Sequence, residues 1–155
     1  TITPVRNVDA HIYNNTFYIP EGVPFIRPGM SEGGILVENN IFLYAGREPK
    51  REEWHHQTEK AVYRNNLYCN YQNVPREDDQ AVTADSASEV IAKPGRGPVC
   101  AGGETNNRQE ETTVFDGYRL CADSPARGKG KAIENNGGKD FFGMPLDGKS
   151  DLGAC

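Results

Sequence analysis

Apolar residues in the first half of the chain fall into six short segments, paired around a polar corner: "AHIY" with "TFYI", "GILVE" with "IFLYA", and "KAVYR" with "LYCNY". Each segment has strand length and is rich in β-branched and aromatic residues, and several alternate apolar with polar positions. The corners are nearly the same: "YNNTF", "ENNIF" and "RNNLY", an apolar or charged residue, Asn-Asn, a variable residue and an aromatic one. The Asn pairs recur every 25 to 26 residues, a period that marks stacked repeat architectures. The pattern therefore predicts three coils, each made of two strands and a sharp turn. The linking stretches, "PEGVPFIRPGMSEG" and "GREPKREEWHHQTE", carry the Pro, Gly and charges of surface loops and lack the apolar stripe of an amphipathic helix.

Asn suits such a corner because it tolerates left-handed backbone and bonds its own neighbouring backbone. Stacked at one repeat, inward Asn side chains also hydrogen-bond to one another up the stack, as in cross-β Asn ladders. The second Asn of each pair, Asn15, Asn40 and Asn66, is assigned to that structural ladder.

With 155 residues, 36% of them hydrophobic, the chain has the size of one domain with a real core. Its formal net charge of −5 argues against nucleic acid, which calls for a basic stripe. No run of eighteen apolar residues spans a bilayer, and the start "TITPVRNVDA" has neither an initiator Met nor a charged-then-apolar leader, which reads as a mature form, a processed product or a fragment. Cys69, Cys100, Cys121 and Cys155 show no metal-ligand spacing, leaving disulfides and free thiols both open.

The repeated coil resembles the last rungs of a right-handed parallel β-helix of the kind found in carbohydrate-active enzymes. The carboxy-terminal stretches "DGYRLCADSPARGKG" and "DFFGMPLDGKSDLGA" are similar to the tail of secreted bacterial β-helix proteins, and "AVTADSASEVIAKPG" to their connector, with Ser86 where Pro is commoner. The resemblance implies an all-β fold. Residues 1–75 would be the last β-helix coils and 76–155 a connector and tail packing on the same helix, together one domain of a larger β-helix. It also implies a secreted, periplasmic or extracellular location and a poly- or oligosaccharide partner. Three coils leave an open amino-terminal end to the stack, so a second polypeptide completing that side is expected. A self-made cap or a homodimer is the alternative.

Candidate chemistry is concentrated in the second loop. Glycoside hydrolysis needs two carboxyl groups across the scissile bond, and Glu52 and Glu53 are available, although as neighbours they point apart in an extended loop. A lyase instead neutralises a uronate and removes its α proton with a base, for which His55, His56, Lys60 and Arg51 are suitable. Trp54, the only Trp, is a candidate for stacking on a sugar or for a lid over the coil below, and Arg47 and Arg51 for substrate binding. The leading reading is a glycoside hydrolase segment that walls a glycan groove with residues 47–60, its principal catalytic groups lying on coils missing from the chain. A uronate lyase and a non-catalytic glycan-binding or adhesive protein are the rivals.

No cofactor is implied. His11 reads as structural, no His and carboxylate spacing reads as a metal site, and the Gly runs lack the setting of a phosphate cradle. The acidic "REDDQ" at 76–80 has oxygen ligands for a structural calcium but no EF-hand pattern, and reads as a solvated turn.

Overall fold

The three Asn pairs each join two four- or three-residue strands, and the strands alternate between two parallel sheets. The computed structural model describes residues 9–20, 34–52, 54, 61–96, 115–146 and 150–154. The first sheet has the order β1 (Ala10–Tyr13), β3 (Ile35–Glu38) and β5 (Ala61–Arg64). In the second, β2 (Thr16–Ile19), β4 (Ile41–Tyr44), β6 (Leu67–Cys69) and β7 (Val82–Ala84) lie side by side. Every pairing between these strands is parallel, with repeats in register: Ile12 pairs with Val37 and Val37 with Tyr63, while Phe17 pairs with Phe42 and Phe42 with Tyr68. The only α-helix among the described residues is α1 (Ala87–Val90), capped by the Ser86 hydroxyl, which accepts from the Ser88 amide. The regular structure is thus all-β apart from single turns of helix.

The corner backbone explains why the pair is Asn-Asn. The first residue of each, Asn14, Asn39 and Asn65, has a φ of 52°, 56° and 54°, the left-handed region that Asn enters more readily than other residues with a Cβ. The second residue returns to the stack and sends its amide inward. Asn15 Nδ2 donates to Asn40 Oδ1 at 3.0 Å, and Asn40 Nδ2 to Asn66 Oδ1 at 3.1 Å. A parallel outer contact joins the first residues, Asn65 Nδ2 donating to Asn39 Oδ1 at 2.7 Å and to the Lys129 carbonyl at 2.8 Å.

The two sheets differ in what covers them. Between them lies a core of Ile12, Ile35, Val37, Phe42, Tyr63 and Tyr68, with Phe17, Phe42 and Tyr68 stacked at 5.1 and 5.5 Å between ring centroids. The second sheet is also buried on its other face: Ile41, Leu43, Leu67 and Cys69 pack against Val90, Ile91, Leu120, Ala126 and Leu152. That is why "IFLY" and "LYC" read as continuous apolar runs rather than alternating ones. The tail closes this face, with the Gly153 amide donating to the Asn39 carbonyl and the Ala154 amide to Thr16 Oγ1. A Cβ on Gly153, whose φ is 83°, would fall 2.6 Å from atoms of Ile41 and Thr16, so only Gly lets the tail approach this closely.

The first sheet alternates cleanly. His11, Leu36, Val62 and Arg64 point away from the core while Ile12, Ile35, Val37 and Tyr63 point into it. Among the described residues, its far edge is covered by side chains instead of a strand. The Tyr63 amide donates to Glu77 Oε1 at 3.3 Å and the Asn65 amide to Asp78 Oδ1 at 2.6 Å. The stretch 76–80, expected to be a solvated turn, is exposed at Arg76, Glu77, Asp79 and Gln80 but buries Asp78 to 4% exposure. Burial follows because the ladder must end on an acceptor. Both Asp78 oxygens are taken, Oδ2 by the Asn66 amide, Asn66 Nδ2 and the Tyr68 hydroxyl. The second sheet also runs past residue 75, since β7 pairs with β6.

Candidate functional site

The segment leaving β4 and the segment leaving β6 run together as the strands before them do. Lys50 bridges Tyr71 in parallel, the Lys50 amide donating to the Asn70 carbonyl at 3.0 Å and the Gln72 amide to the Lys50 carbonyl at 2.8 Å. Asn70 makes the turn with a φ of 61° and ties the two segments, its Nδ2 donating to the carbonyls of Tyr44 and Gly46. Further out, Asn73 and Glu52 clamp one another: the Glu52 amide donates to Asn73 Oδ1 at 3.0 Å and Asn73 Nδ2 to the Glu52 carbonyl at 2.8 Å. The indole of Trp54 donates to the Asn73 carbonyl at 3.1 Å.

These ties shape a groove of about 520 Å³ lined by Arg51, Glu52, Gln72, Asn73, Arg76 and Glu77, with the edge of Trp54 and the Val74-Pro75 turn completing it. Two carboxylates and two guanidinium-bearing residues line one concavity. Glu52 is partly buried and its Oε2 lies 2.9 Å from Lys50 Nζ, while the ammonium sits 5.5 Å over the Tyr44 ring. Glu77 holds the Tyr63 amide with one oxygen. Burial above all, then the negative charges of Glu77 and Glu52, push the Tyr63 hydroxyl well above the usual phenol range, so it stays a neutral donor to the Trp54 carbonyl. Burial first, then Glu52, does the same to Tyr71.

The expected site residues separate on inspection. Arg51 and Glu52 line the groove; Arg47 is exposed and is not among its lining residues. Trp54 requires a correction to the expectation of an exposed stacking platform. It is 7% exposed, with Phe42, Tyr63, Tyr68 and Tyr71 around it at centroid distances of 4.9 to 6.0 Å, so the faces of its indole belong to the core. The second expectation for it, a lid packed on the coil below, matches this position. Glu53, His55, His56 and Lys60 lie outside the described residues. Asn15, Asn40 and Asn66 stand in the ladder already described. His11 lies within β1, its Nε2 3.3 Å from Glu38 Oε2. Cys69 and Cys121 are free thiols, and no group of three or more His, Cys, Asp or Glu among the described residues is arranged to hold a metal ion. Also among them, no helix is long and apolar enough to cross a membrane.

Sequence reasoning missed Arg76 and Glu77 as groove residues. The signal available was the acidic-basic run that follows the third Asn-Asn corner and its strand.

Nearly the whole chain is similar to part of a much longer protein. Over 97% of its length, with 38% identity across 163 aligned positions, it resembles lacto-N-biosidase of Bifidobacterium longum subsp. longum. That relative is a glycosidase. The chain spans about a tenth of the length of lacto-N-biosidase. No protein-family model matches the chain.

Proposed function

We propose that this chain is the carboxy-terminal part of a right-handed parallel β-helix in a secreted glycoside hydrolase, and that it supplies one wall of the glycan-binding groove. Residues 1–75 form the last three coils in this reading, and 76–155 the connector and tail. The observation that carries it is the similarity along 97% of the chain to a glycosidase. Two further features support it: the repeating in-register parallel pairs, and the presence of Glu52 and Glu77 on one groove with Arg51 and Arg76 beside them.

The wall binds rather than cleaves by itself. Glu52 is engaged by Lys50 and the Asn73 and Gln72 amides by backbone carbonyls, so the Arg51 and Arg76 guanidinium groups do most of the recognition, donating to sugar hydroxyls. The principal catalytic carboxylates belong to the remaining coils, supplied by the same longer polypeptide or by a second one that completes the amino-terminal side of the stack. No cofactor enters this chemistry.

The decisive experiment assays the chain together with its completing coils on p-nitrophenyl lacto-N-bioside and on a uronate polymer. Release of nitrophenol, reduced at least tenfold in an Arg51→Ala/Arg76→Ala variant, is the expected outcome. A new unsaturated-uronate absorbance would replace the hydrolase by a lyase. Tight glycan binding with no product from any substrate would leave a non-catalytic binder.

A further inference from the structure

The first sheet has an outer face that the groove does not use. Its side chains form two columns running across the strands. His11, Leu36 and Val62 are in register in one column, and Tyr13, Glu38 and Arg64 in the next. Val62 is 36% exposed, and Leu36 beside it is half-buried, so the two make a small aliphatic strip. Polar groups flank the strip. The His11 imidazole bridges the columns at 3.3 Å from Glu38 and stacks at a tilt on Tyr13, with 4.6 Å between centroids. On the other side Asp9 is fixed by the Gly34 amide, which donates to its Oδ1 at 2.8 Å. Asp9, His11, Gly34, Leu36, Val62 and Arg64 line a concavity of about 430 Å³.

The chemistry of this face selects its occupant. Two aliphatic side chains are far too little for a protein partner, which covers about 800 Å² of each surface in a standard interface. Asp9 and Glu38 are carboxylates and Arg64, in register with Glu38, is one guanidinium beside them, so the face offers no positive field for a polyanion such as a uronate chain or nucleic acid. What matches a narrow aliphatic strip with a carboxylate on each flank and a guanidinium on one is a neutral pyranose, whose C–H face is apolar and whose rim is hydroxyl. Parallel strands are spaced by about 4.8 Å, close to the length of one sugar unit. A ligand lying along the stack would therefore place one unit over Leu36 and the next over Val62.

We propose that the outer face of the first sheet is a second glycan subsite, separate from the groove of Arg51 and Glu77. It takes two neutral pyranose units laid along the stack over Leu36 and Val62. Glu38 and Asp9 accept from their hydroxyls and Arg64 donates to them. The inference rests on the glycan reading given above and adds a place and a ligand class to it.

The test is calorimetric titration of the chain, together with its completing coils, with lacto-N-biose, cellobiose and digalacturonate. Three forms are compared: wild type, Val62→Thr/Arg64→Ala, and Glu77→Gln. The expected result is binding of at least one neutral disaccharide, weakened tenfold or more in the double variant, with the backbone shifts at Leu36 and Val62 retained in the groove variant Glu77→Gln. Backbone amide shifts of labelled wild-type protein at Leu36, Val62 and Arg64 on adding that disaccharide give the same answer should the double variant not fold. Loss of affinity in Glu77→Gln alone, with no shifts at Leu36 and Val62, would overturn the second subsite and keep the glycan reading. Tighter binding of digalacturonate at this face would overturn the neutral class. Absence of any disaccharide binding would overturn both.

Discussion

Asp78 Oδ2 accepts from Asn66 Nδ2 at 2.9 Å, so a carboxylate ends a ladder that amides build. An Asn side chain passes a hydrogen bond on, accepting with its oxygen and donating with its nitrogen, whereas a carboxylate only accepts. Four donors converge here: the amides of Asn65 and Asn66, Asn66 Nδ2 and the Tyr68 hydroxyl. Asp78→Asn turns one oxygen into a donor facing donors and is expected to cost about 1–3 kcal/mol. Asp78→Ala removes the acceptor of the Asn65 and Asn66 amides and the Tyr68 hydroxyl, leaves Asn66 Nδ2 only the Val37 carbonyl, and costs more. Urea unfolding of the three proteins checks the order, and equal midpoints would mean that the ladder closes without this residue.

At Asn39 the corner separates backbone from side-chain effects. Asn39→Gly keeps the left-handed conformation and loses the bonds to Asn65 and Lys131, while Asn39→Ala loses both. Alanine is expected to be less stable than glycine here by about 1 kcal/mol, the reverse of their usual order in a strand. Thermal melting of the two variants reads the sign directly.

Trp54, as the only Trp, makes its own burial measurable. Native emission should lie at short wavelength, resist iodide quenching and shift to the red on unfolding. Trp54→Ala removes a ring packed among four others and should destabilise by about 3–5 kcal/mol, whereas Trp54→Phe should leave glycan affinity unchanged. A Phe variant that folds normally but fails to bind glycan would return Trp54 to the binding surface.

Alkaline pH should weaken the fold through Cys69. Burial, followed by the charges of Glu89 and Asp85, pushes its thiol up to about 12 from an ordinary value of 9.0. The folded state therefore keeps a proton that the unfolded chain gives up. The stability this contributes is complete below about pH 9 and is lost as pH rises toward 12. Tyr63, Tyr68 and Tyr71, raised mainly by burial, act with the same sign from about pH 10 upward. Cys69→Ser should show a shallower fall in urea midpoint between pH 9 and 12 than wild type, with a remaining slope from the tyrosines.

Six strands were legible in the sequence because each flanks a corner that is written out three times, and both the period and the turn chemistry are local. What was not legible depends on partners distant in sequence. "REDDQ" has the composition of a surface turn, yet one of its carboxylates is drawn inward by the unmet donors of Asn65, Asn66 and Tyr68. "TAD" in the connector carries too little apolar pattern to announce β7, which forms because β6 offers it an edge. Trp54 sits in a polar loop, and its burial is decided by rings from β4, β5, β6 and the segment after β6. Of the groove, the loop that holds Arg51 and Glu52 was readable, and the opposing Arg76 and Glu77 were not.

The contact between Ala154 and Thr16 joins residues 138 positions apart. During synthesis, therefore, the outer face of the second sheet emerges long before the tail that seals it. In that interval Ile41, Leu43 and Leu67 form a bare parallel surface that neighbouring nascent chains can also use. Shortening the tail by a few residues acts at this point, turning a late closing step into a lasting opportunity for aggregation.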